Sequence, residues 1–163
     1  MIIRPGNKLA NKIKETDLPS SPPDPNPFAD WTARLFTADR TQYIIISNTI
    51  SLYSVVIYGR GVTNDGHLIH GMMDMMRDVM EKDGFRLIYE KQVAPQAGSF
   101  SLAKPSNRSV TGSLNEFVLQ AKWYLDEEDI SPFDLSFRLN ETPLSYLKYL
   151  NPRKAFQLMV QEH

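Results

Sequence analysis

The polar run from Asn107 to Ser113 combines an arginine with several hydroxyl side chains at the start of a predicted amphipathic helix. Its candidate ligand-binding residues are Asn107, Arg108, Ser109, Thr111, Gly112 and Ser113. Free backbone N–H groups in the first turn of a helix attract anions, and an arginine adds a forked donor with a permanent charge. The run therefore predicts an anion-binding loop that would hold a phosphate- or carboxylate-bearing small molecule.

A second interpretation of the same run is structural. Ser113 followed three residues later by Glu116 matches the capping box that begins many helices, and it predicts a helix over Ser113–Glu127. In that case Arg108 would pair with an internal carboxylate, and Gly112 would allow close packing. The sequence leaves both interpretations open.

Histidine and carboxylate side chains offer a metal-binding alternative on an earlier predicted helix, over Asn64–Lys82. His67, His70 and Asp74 fall on one side of that helix, at spacings that could bring two imidazoles and a carboxylate to one ion. A solvated polar stripe accounts for the same pattern, and no fourth ligand lies nearby, so no metal site is predicted. None of the three histidines of the chain occurs in the context of a catalytic triad, so the sequence identifies no catalytic residue.

Two large apolar side chains, Leu119 and Trp123, lie on nearly the opposite side of the predicted Ser113–Glu127 helix from its other apolar residues. The residues predicted to face the core are Leu114, Phe117, Val118, Ala121 and Leu125. One core cannot bury both sides of the helix. Leu119 and Trp123 therefore predict an interface, either with the C-terminal tail or with another chain.

The composition limits the possible partners. At 163 residues and 18.6 kDa, the chain has the length of one domain. Its 18 Lys and Arg residues nearly balance its 19 Asp and Glu residues, which disfavours a nucleic-acid partner, because proteins that bind phosphates are usually basic. The chain has no cysteine, which removes disulfides and zinc–thiolate sites. The sequence shows no signal peptide and no apolar run of membrane-spanning length, so the protein is predicted to be cytoplasmic with no membrane partner. No cofactor is predicted.

Runs of aromatic and β-branched residues predict most of a sheet. Three such runs lie at Trp31–Thr37, Tyr43–Ser47 and Ser51–Tyr58. Because only short turns join them, they predict an antiparallel meander. Tyr43–Ile46 is apolar on both faces, which predicts a central strand that is covered on both sides. Shorter strands are predicted at Met1–Arg4, Phe85–Glu90 and Phe100–Leu102. The predicted fold class is α+β: a single domain over residues 1–163, with a mainly antiparallel sheet of about five strands packed by two principal helices.

Two further segments lie near the N-terminus. Asn7 is predicted to cap a short basic helix over Lys8–Lys14. The segment Thr16–Pro27 follows and contains five prolines, which exclude a helix or an inner strand. It is predicted to be an extended, mobile loop.

Several motifs resemble an uncharacterised bacterial family that is known only as a domain of unknown function. The most specific motif is N-R-S-V-x-G-S-x-N, which here spans Asn107–Asn115. A W-x-A-x-L-F segment at Trp31–Phe36, the opening pair Ile3 and Arg4, and the closing segment Ser136–Pro143 are also similar. The resemblance extends over nearly the whole chain. It implies one domain of bacterial origin, and it implies no particular reaction.

Together these observations favour a small cytoplasmic binding or interaction module without catalysis, which would self-associate. The alternative is an enzyme or binder that acts on a phosphate- or carboxylate-bearing small molecule at the Asn107–Ser113 loop. A flat apolar patch around Trp123 would support the interaction module. A pocket lined by Arg108, Ser109 and a second basic residue would support the alternative.

Overall fold

The computed structural model describes the whole chain, from Met1 to His163. Its five strands are β1 (Ile2–Pro5), β2 (Asp30–Ala38), β3 (Thr41–Asn48), β4 (Ser54–Tyr58) and β5 (Ser101–Leu102). Its six α-helices are α1 (Asn7–Ile13), α2 (Asp65–Lys82), α3 (Arg86–Ile88), α4 (Arg108–Glu127), α5 (Pro132–Asn140) and α6 (Pro152–Glu162). Further helical segments are the 3₁₀-helices Pro27–Ala29, Ala94–Ser99 and Ser145–Leu147 and the π-helix Tyr89–Val93. No helix has both the length and the apolar character needed to cross a membrane.

The sheet has the strand order β4-β3-β2-β1-β5. Strands β2, β3 and β4 form the predicted antiparallel meander, in which Ile45 of β3 lies opposite Arg34 of β2 and Val56 of β4. Strand β1 pairs in parallel with both β2 and β5, so this side of the sheet is mixed. The predicted α+β class, with a five-stranded and mostly antiparallel sheet, is confirmed.

Helices cover the sheet on both faces, as the two-sided apolar character of β3 predicted. Ile44 and Ile46 share one cluster with Met72 and Met76 of α2. Ile45, which points to the other face, belongs to a second cluster with the buried residues of α4 and α5. The sheet is therefore the middle of three layers, with α2 and α4 on opposite faces.

The predicted strand at Phe85–Glu90 is wrong, because this segment is helical. It contains α3 and continues into the π-helix and the 3₁₀-helix that follow. Arg86 and Glu90, four residues apart, form an ion pair of 2.8 Å, a contact that helical spacing permits. A short apolar run without strict alternation does not distinguish a strand from a helix, which explains the error.

Two predicted boundaries also shift. Strand β4 begins at Ser54 rather than at Ser51, because the side chain of Asn48 accepts two backbone hydrogen bonds and holds a tight turn before it. Helix α1 is preceded by Gly6, so Asn7 is its first residue and not its cap. Short turns thus connect β3 to β4 and β1 to α1.

A buried arginine of β1 binds the Pro-rich segment Thr16–Pro27 to the sheet. Arg4 of β1 is 1% exposed, and all five of its N–H groups donate hydrogen bonds. Two of these bonds, of 2.9 and 3.0 Å, go to the carboxylate of Asp30 in β2. The other three go to the backbone carbonyls of Ser21, Pro22 and Lys104. Together with a hydrogen bond of 2.9 Å from the N–H of Lys104 to the carbonyl of Pro19, these bonds fix the extended segment from Pro19 onward, while the mobility of Thr16–Leu18 stays a prediction.

Asp30 completes this network, because its two carboxylate oxygens accept four hydrogen bonds. Besides Arg4, the donors are the Oγ1 of Thr49 at 2.8 Å and the backbone N–H of Asp24 at 3.0 Å. Burial raises the pKa of Asp30, but the hydrogen bonds from Arg4, Asp24 and Thr49 together bring this pKa below its usual value of 3.8. The network therefore holds the carboxylate in its charged form.

We expect this network to make the fold sensitive to acid. A carboxylate whose pKa is lower in the folded state stabilises the fold above its unfolded pKa, and this stabilisation is lost as the pH falls through the folded pKa. The free energy of unfolding should therefore fall more steeply below about pH 4 in the wild type than in Asp30→Asn. Urea unfolding at a series of pH values measures both profiles. Parallel profiles would show that Asp30 is not the acid-sensitive group.

The outer edge of β4 is closed by two side chains of α5 instead of by another strand. Asn140 accepts a hydrogen bond from the N–H of Ser54 at 2.7 Å and donates one to the carbonyl of Ser54 at 2.9 Å. One turn earlier, the hydroxyl of Ser136 accepts a bond from the N–H of Val56 at 3.0 Å. All four residues are fully buried. Because an open strand edge can pair with other chains, this arrangement protects the sheet.

Candidate functional site

The predicted anion-binding loop is helical in the structure. Helix α4 begins at Arg108, five residues before the predicted start, and its N-cap is Asn107. The side-chain carbonyl of Asn107 accepts hydrogen bonds from the N–H groups of Ser109 at 3.0 Å and Val110 at 3.2 Å. The capping box expected at Ser113 is therefore wrong, because an earlier asparagine caps the helix and Ser113 is buried within it.

The six candidate residues do lie together, at the cap and in the first turns of α4, but two of their three hydroxyl groups and the backbone N–H groups of Ser109 and Val110 already have partners. The Oγ1 of Thr111 donates to the carbonyl of Asn107, and the Oγ of Ser113 donates to the carbonyl of Ser109. The exposed guanidinium of Arg108 and the exposed hydroxyl of Ser109 stay available. An incoming anion would therefore meet fewer donors than the sequence predicted.

Two details of the structural interpretation are also wrong. Arg108 forms no ion pair with a carboxylate of the chain. Gly112 is not closely packed, since a Cβ built at this position would meet no atom within 4 Å. This part of α4 is held to the sheet by the buried side chains of Val110 and Leu114, and a hydrogen bond from Arg34 of β2 to Asn115 adds to this contact. Arg108 and Gly112 both face solvent.

The side of α4 that faces away from the sheet carries Leu119 and Trp123. These side chains are 68% and 57% exposed, whereas the apolar residues on the core side of the same helix are at most 9% exposed. The C-terminal tail does not cover them, since its residues Leu144 and Leu147 pack into the cluster on the core side of α4, and Phe156 and Met159 of α6 pack into the cluster on the other face of the sheet. The predicted contact with the tail is therefore wrong, and a contact with another chain stays a prediction.

The three candidate metal ligands on α2 do not converge. The Nδ1 of His67 lies 3.1 Å from the Oγ1 of Thr63, and the Nε2 of His70 lies 3.3 Å from a carboxylate oxygen of Asp74. No group of three histidine, aspartate or glutamate side chains in the structure is arranged to hold a metal ion. These residues form an exposed polar side of α2.

The structure also contains a polar cleft that the sequence did not reveal. It has a volume of about 660 Å³ and is lined in part by Asp83 and Arg153. The hydroxyl of the buried Tyr53 donates to Asp83 at 2.5 Å, and Arg153 donates to the same carboxylate at 3.1 Å. Burial, and then the charge of Asp83, raise the pKa of Tyr53 above its usual value of 10.0, so the phenol stays protonated. The three residues are far apart in sequence, and they link α2, α6 and the turn before β4.

The fold and the exposed helix face define an α+β protein whose sheet is covered on both faces and whose helix α4 presents apolar side chains to solvent. Residues 2–155 match the family described as a domain of unknown function, DUF6933. The chain belongs to this family, and the membership predicted from the N-R-S-V-x-G-S-x-N and W-x-A-x-L-F motifs is confirmed. The chain matches no curated protein and no solved structure.

Proposed function

We propose that this protein is a binding module without catalysis, which docks a protein partner through the outer face of α4. The observation that carries the proposal is the exposure of Leu119 and Trp123 on a helix whose opposite side is buried. Tryptophan is among the residues that most often dominate the binding energy of protein interfaces, because its large ring leaves water on docking. We place the module in a bacterial cytoplasm, in keeping with the resemblance of its motifs to bacterial proteins.

The surroundings of the two side chains suit this role. Arg138 of α5 lies over the ring of Tyr124 and forms an ion pair with Glu128 at 3.3 Å, which fixes one flank of α4. The core side of the helix is held by buried residues that include Phe117. A helix that is already fixed loses little conformational freedom on binding, so burial of its exposed apolar side chains contributes more fully to affinity.

Site-specific cross-linking tests the proposal. A photoreactive amino acid placed at Leu119 should form a discrete covalent adduct with a protein chain in cells that express the protein at its natural level. The same amino acid at Leu87 of α3, a leucine that is 65% exposed, is the matched control and should form none. An adduct with the same chain or with another protein would support the proposal. Absence of an adduct at Leu119, or equal adducts at both positions, would overturn it.

The second candidate function is an anion site at the start of α4, for a phosphate- or carboxylate-bearing small molecule. The exposed guanidinium of Arg108 favours it. Because Asn107 already accepts the N–H groups of Ser109 and Val110, we expect that replacing chloride with phosphate at equal ionic strength leaves the melting temperature unchanged. A phosphate-dependent rise that Arg108→Gln abolishes would establish this alternative.

A further inference from the structure

We infer that the partner of the outer α4 face is a second copy of the same chain, with the two α4 helices antiparallel across a twofold axis. The inference rests on the proposed docking function and names its partner. Three features of α4 carry it: the spacing of the residues on the outer face, the open space at Gly112, and the distribution of charge along the helix.

The outer face of α4 is one continuous stripe from its first turn to its last. Its residues Arg108, Gly112, Leu119, Trp123 and Asp126 follow one another at intervals of four, seven, four and three positions, and the exposed polar residues Asn115 and Glu116 occupy the turn between Gly112 and Leu119. An α-helix has 3.6 residues per turn, so these intervals are close to whole turns and the five residues fall on one side. All five are exposed. A second helix can therefore lie along the full length of α4, which is about 30 Å for its 20 residues.

Gly112 leaves a hollow in this stripe, and Trp123 is the side chain that can fill it in an antiparallel pair. A Cβ at Gly112 would meet no atom of the chain within 4 Å, so the space above the glycine is open. When Trp123 of each chain lies over Gly112 of the other, the twofold axis passes between the levels of Phe117 and Val118. The absence of a side chain at Gly112 also lets the two helices approach closely at this point.

The same register brings the two Leu119 side chains together and pairs the charged ends. Leu119 lies one and a half residues from the axis, so the two leucines are about 4.5 Å apart along the helix direction. Arg108 of each chain lies opposite Glu127 of the other, next to Asp126. One register therefore suits the tryptophan and both ends of the helix, with Leu119 of each chain at the level of the exposed Glu116 of the other. Such a match of one face with itself is the self-complementarity that a twofold interface requires.

The charges of α4 are unfavourable within one chain and complementary in the pair. The helix has no acidic residue in its first turn and no basic residue in its last, which are the places where the helix dipole favours them. Its C-terminal end runs into the acidic segment Asp126–Asp129, of which Glu128 is paired, with Arg138. In the antiparallel pair, each acidic end lies beside the N-terminus and Arg108 of the other helix. The pair thus relieves the unfavourable charges at both ends.

Sedimentation velocity over a concentration series tests this inference. The wild type should change from 18.6 kDa toward twice that mass as its concentration rises. Trp123→Ala should raise the dissociation constant of the dimer by a factor on the order of 100, because symmetry removes the tryptophan twice. Gly112→Leu should prevent the dimer while raising the melting temperature of the dilute protein, because leucine favours a helix interior more than glycine does.

Charge reversal tests the antiparallel orientation. Arg108→Glu in one variant, and Asp126→Arg with Glu127→Arg in another, should each weaken the homodimer about ten-fold by placing like charges opposite each other. Mixing the two variants should form a heterodimer as stable as the wild-type dimer, because opposite charges then face each other at both ends. Arg60→Glu, at an exposed arginine between β4 and α2, is the matched control and should leave the dimer unchanged.

The inference and the proposed function fail in different ways. A wild type that stays at 18.6 kDa throughout the series overturns the inference. A dimer that survives Trp123→Ala and Gly112→Leu, or charge variants that do not pair on mixing, overturns it as well. A monomeric protein whose Leu119 adduct contains a different chain keeps the docking function and removes self-association. A monomeric protein without a Leu119 adduct removes both.

Discussion

Replacement of Asp30 by alanine is expected to destabilise the fold by about 3–5 kcal/mol. The change removes the carboxylate that balances the charge of Arg4, whose side chain stays in a site that is 1% exposed. It also removes the acceptor of the hydrogen bonds from Thr49 and from the backbone of Asp24. Folded domains are stable by only about 5–15 kcal/mol, so this one substitution should remove a large part of the total.

Urea unfolding followed by circular dichroism measures the loss. Glu90→Ala is the matched control, because it removes the carboxylate of another arginine pair, with a distance of 2.8 Å, on the exposed surface. It should change the stability little, since solvent screens exposed pairs. Equal and small effects of the two substitutions would contradict the role given to the Arg4–Asp30 network.

The second large effect is expected at Asn140. Asn140→Ala removes the partners of the N–H and the carbonyl of Ser54, which lie at 2.7 and 2.9 Å and are buried. Each buried backbone group left without a partner costs about 1–3 kcal/mol, so a destabilisation of about 2–5 kcal/mol is expected. The same change opens the edge of β4, which should make the variant aggregate more readily than the wild type.

Asn11→Ala provides the control for this substitution, because Asn11 is an exposed asparagine in α1. It should leave stability and solubility close to those of the wild type. Amide hydrogen exchange gives a local measurement, in which the N–H of Ser54 should lose protection in Asn140→Ala and keep it in Asn11→Ala. Unchanged protection of Ser54 in Asn140→Ala would show that the side chain does not close this edge.

Those parts of the fold that depend on short patterns were predicted from the sequence. The β2–β4 meander follows from neighbouring strands with short turns, and the two-sided burial of β3 follows from the uninterrupted apolar run at Tyr43–Ile46. The placement of Leu119 and Trp123 away from the core side of α4 was predicted because the period of a helix separates them from Phe117 and Val118. In each case the relevant residues are close together in the chain.

Features that depend on distant contacts were not predicted. Arg4 binds Asp30, 26 residues away, and the carbonyl of Lys104, 100 residues away, and no local pattern pairs them. The hydrogen bonds by which Ser136 and Asn140 close the outer edge of β4 were not predicted for the same reason, since they join residues 80 and 86 positions apart.

The start of α4 was predicted wrongly for a different reason. Several neighbouring residues can cap a helix, and the sequence does not show which of them is the cap. Asn107 is the cap in the structure, which places Val110 in the core one turn earlier than the predicted start allowed. Because the helix begins earlier than predicted, the residues of the predicted ligand-binding loop, Asn107–Ser113, form its cap and first turns. A pattern that fits a cap thus located the helix but not its first residue.

Strand β1 lies between β2 and β5 in the sheet, but both of these strands come later in the chain. During translation, the residues of β1 therefore leave the ribosome before the residues with which they pair. The β2–β4 meander can form from adjacent segments, and β1 can then add to β2. The other edge of β1 stays open until β5 is made, and the guanidinium of Arg4 lacks one of its acceptors until Lys104 has emerged. Contacts between such distant segments slow folding. The strand that is translated first is therefore completed only after the whole β2–β4 meander has been made, and the nascent chain carries an unpaired strand edge until β5 emerges.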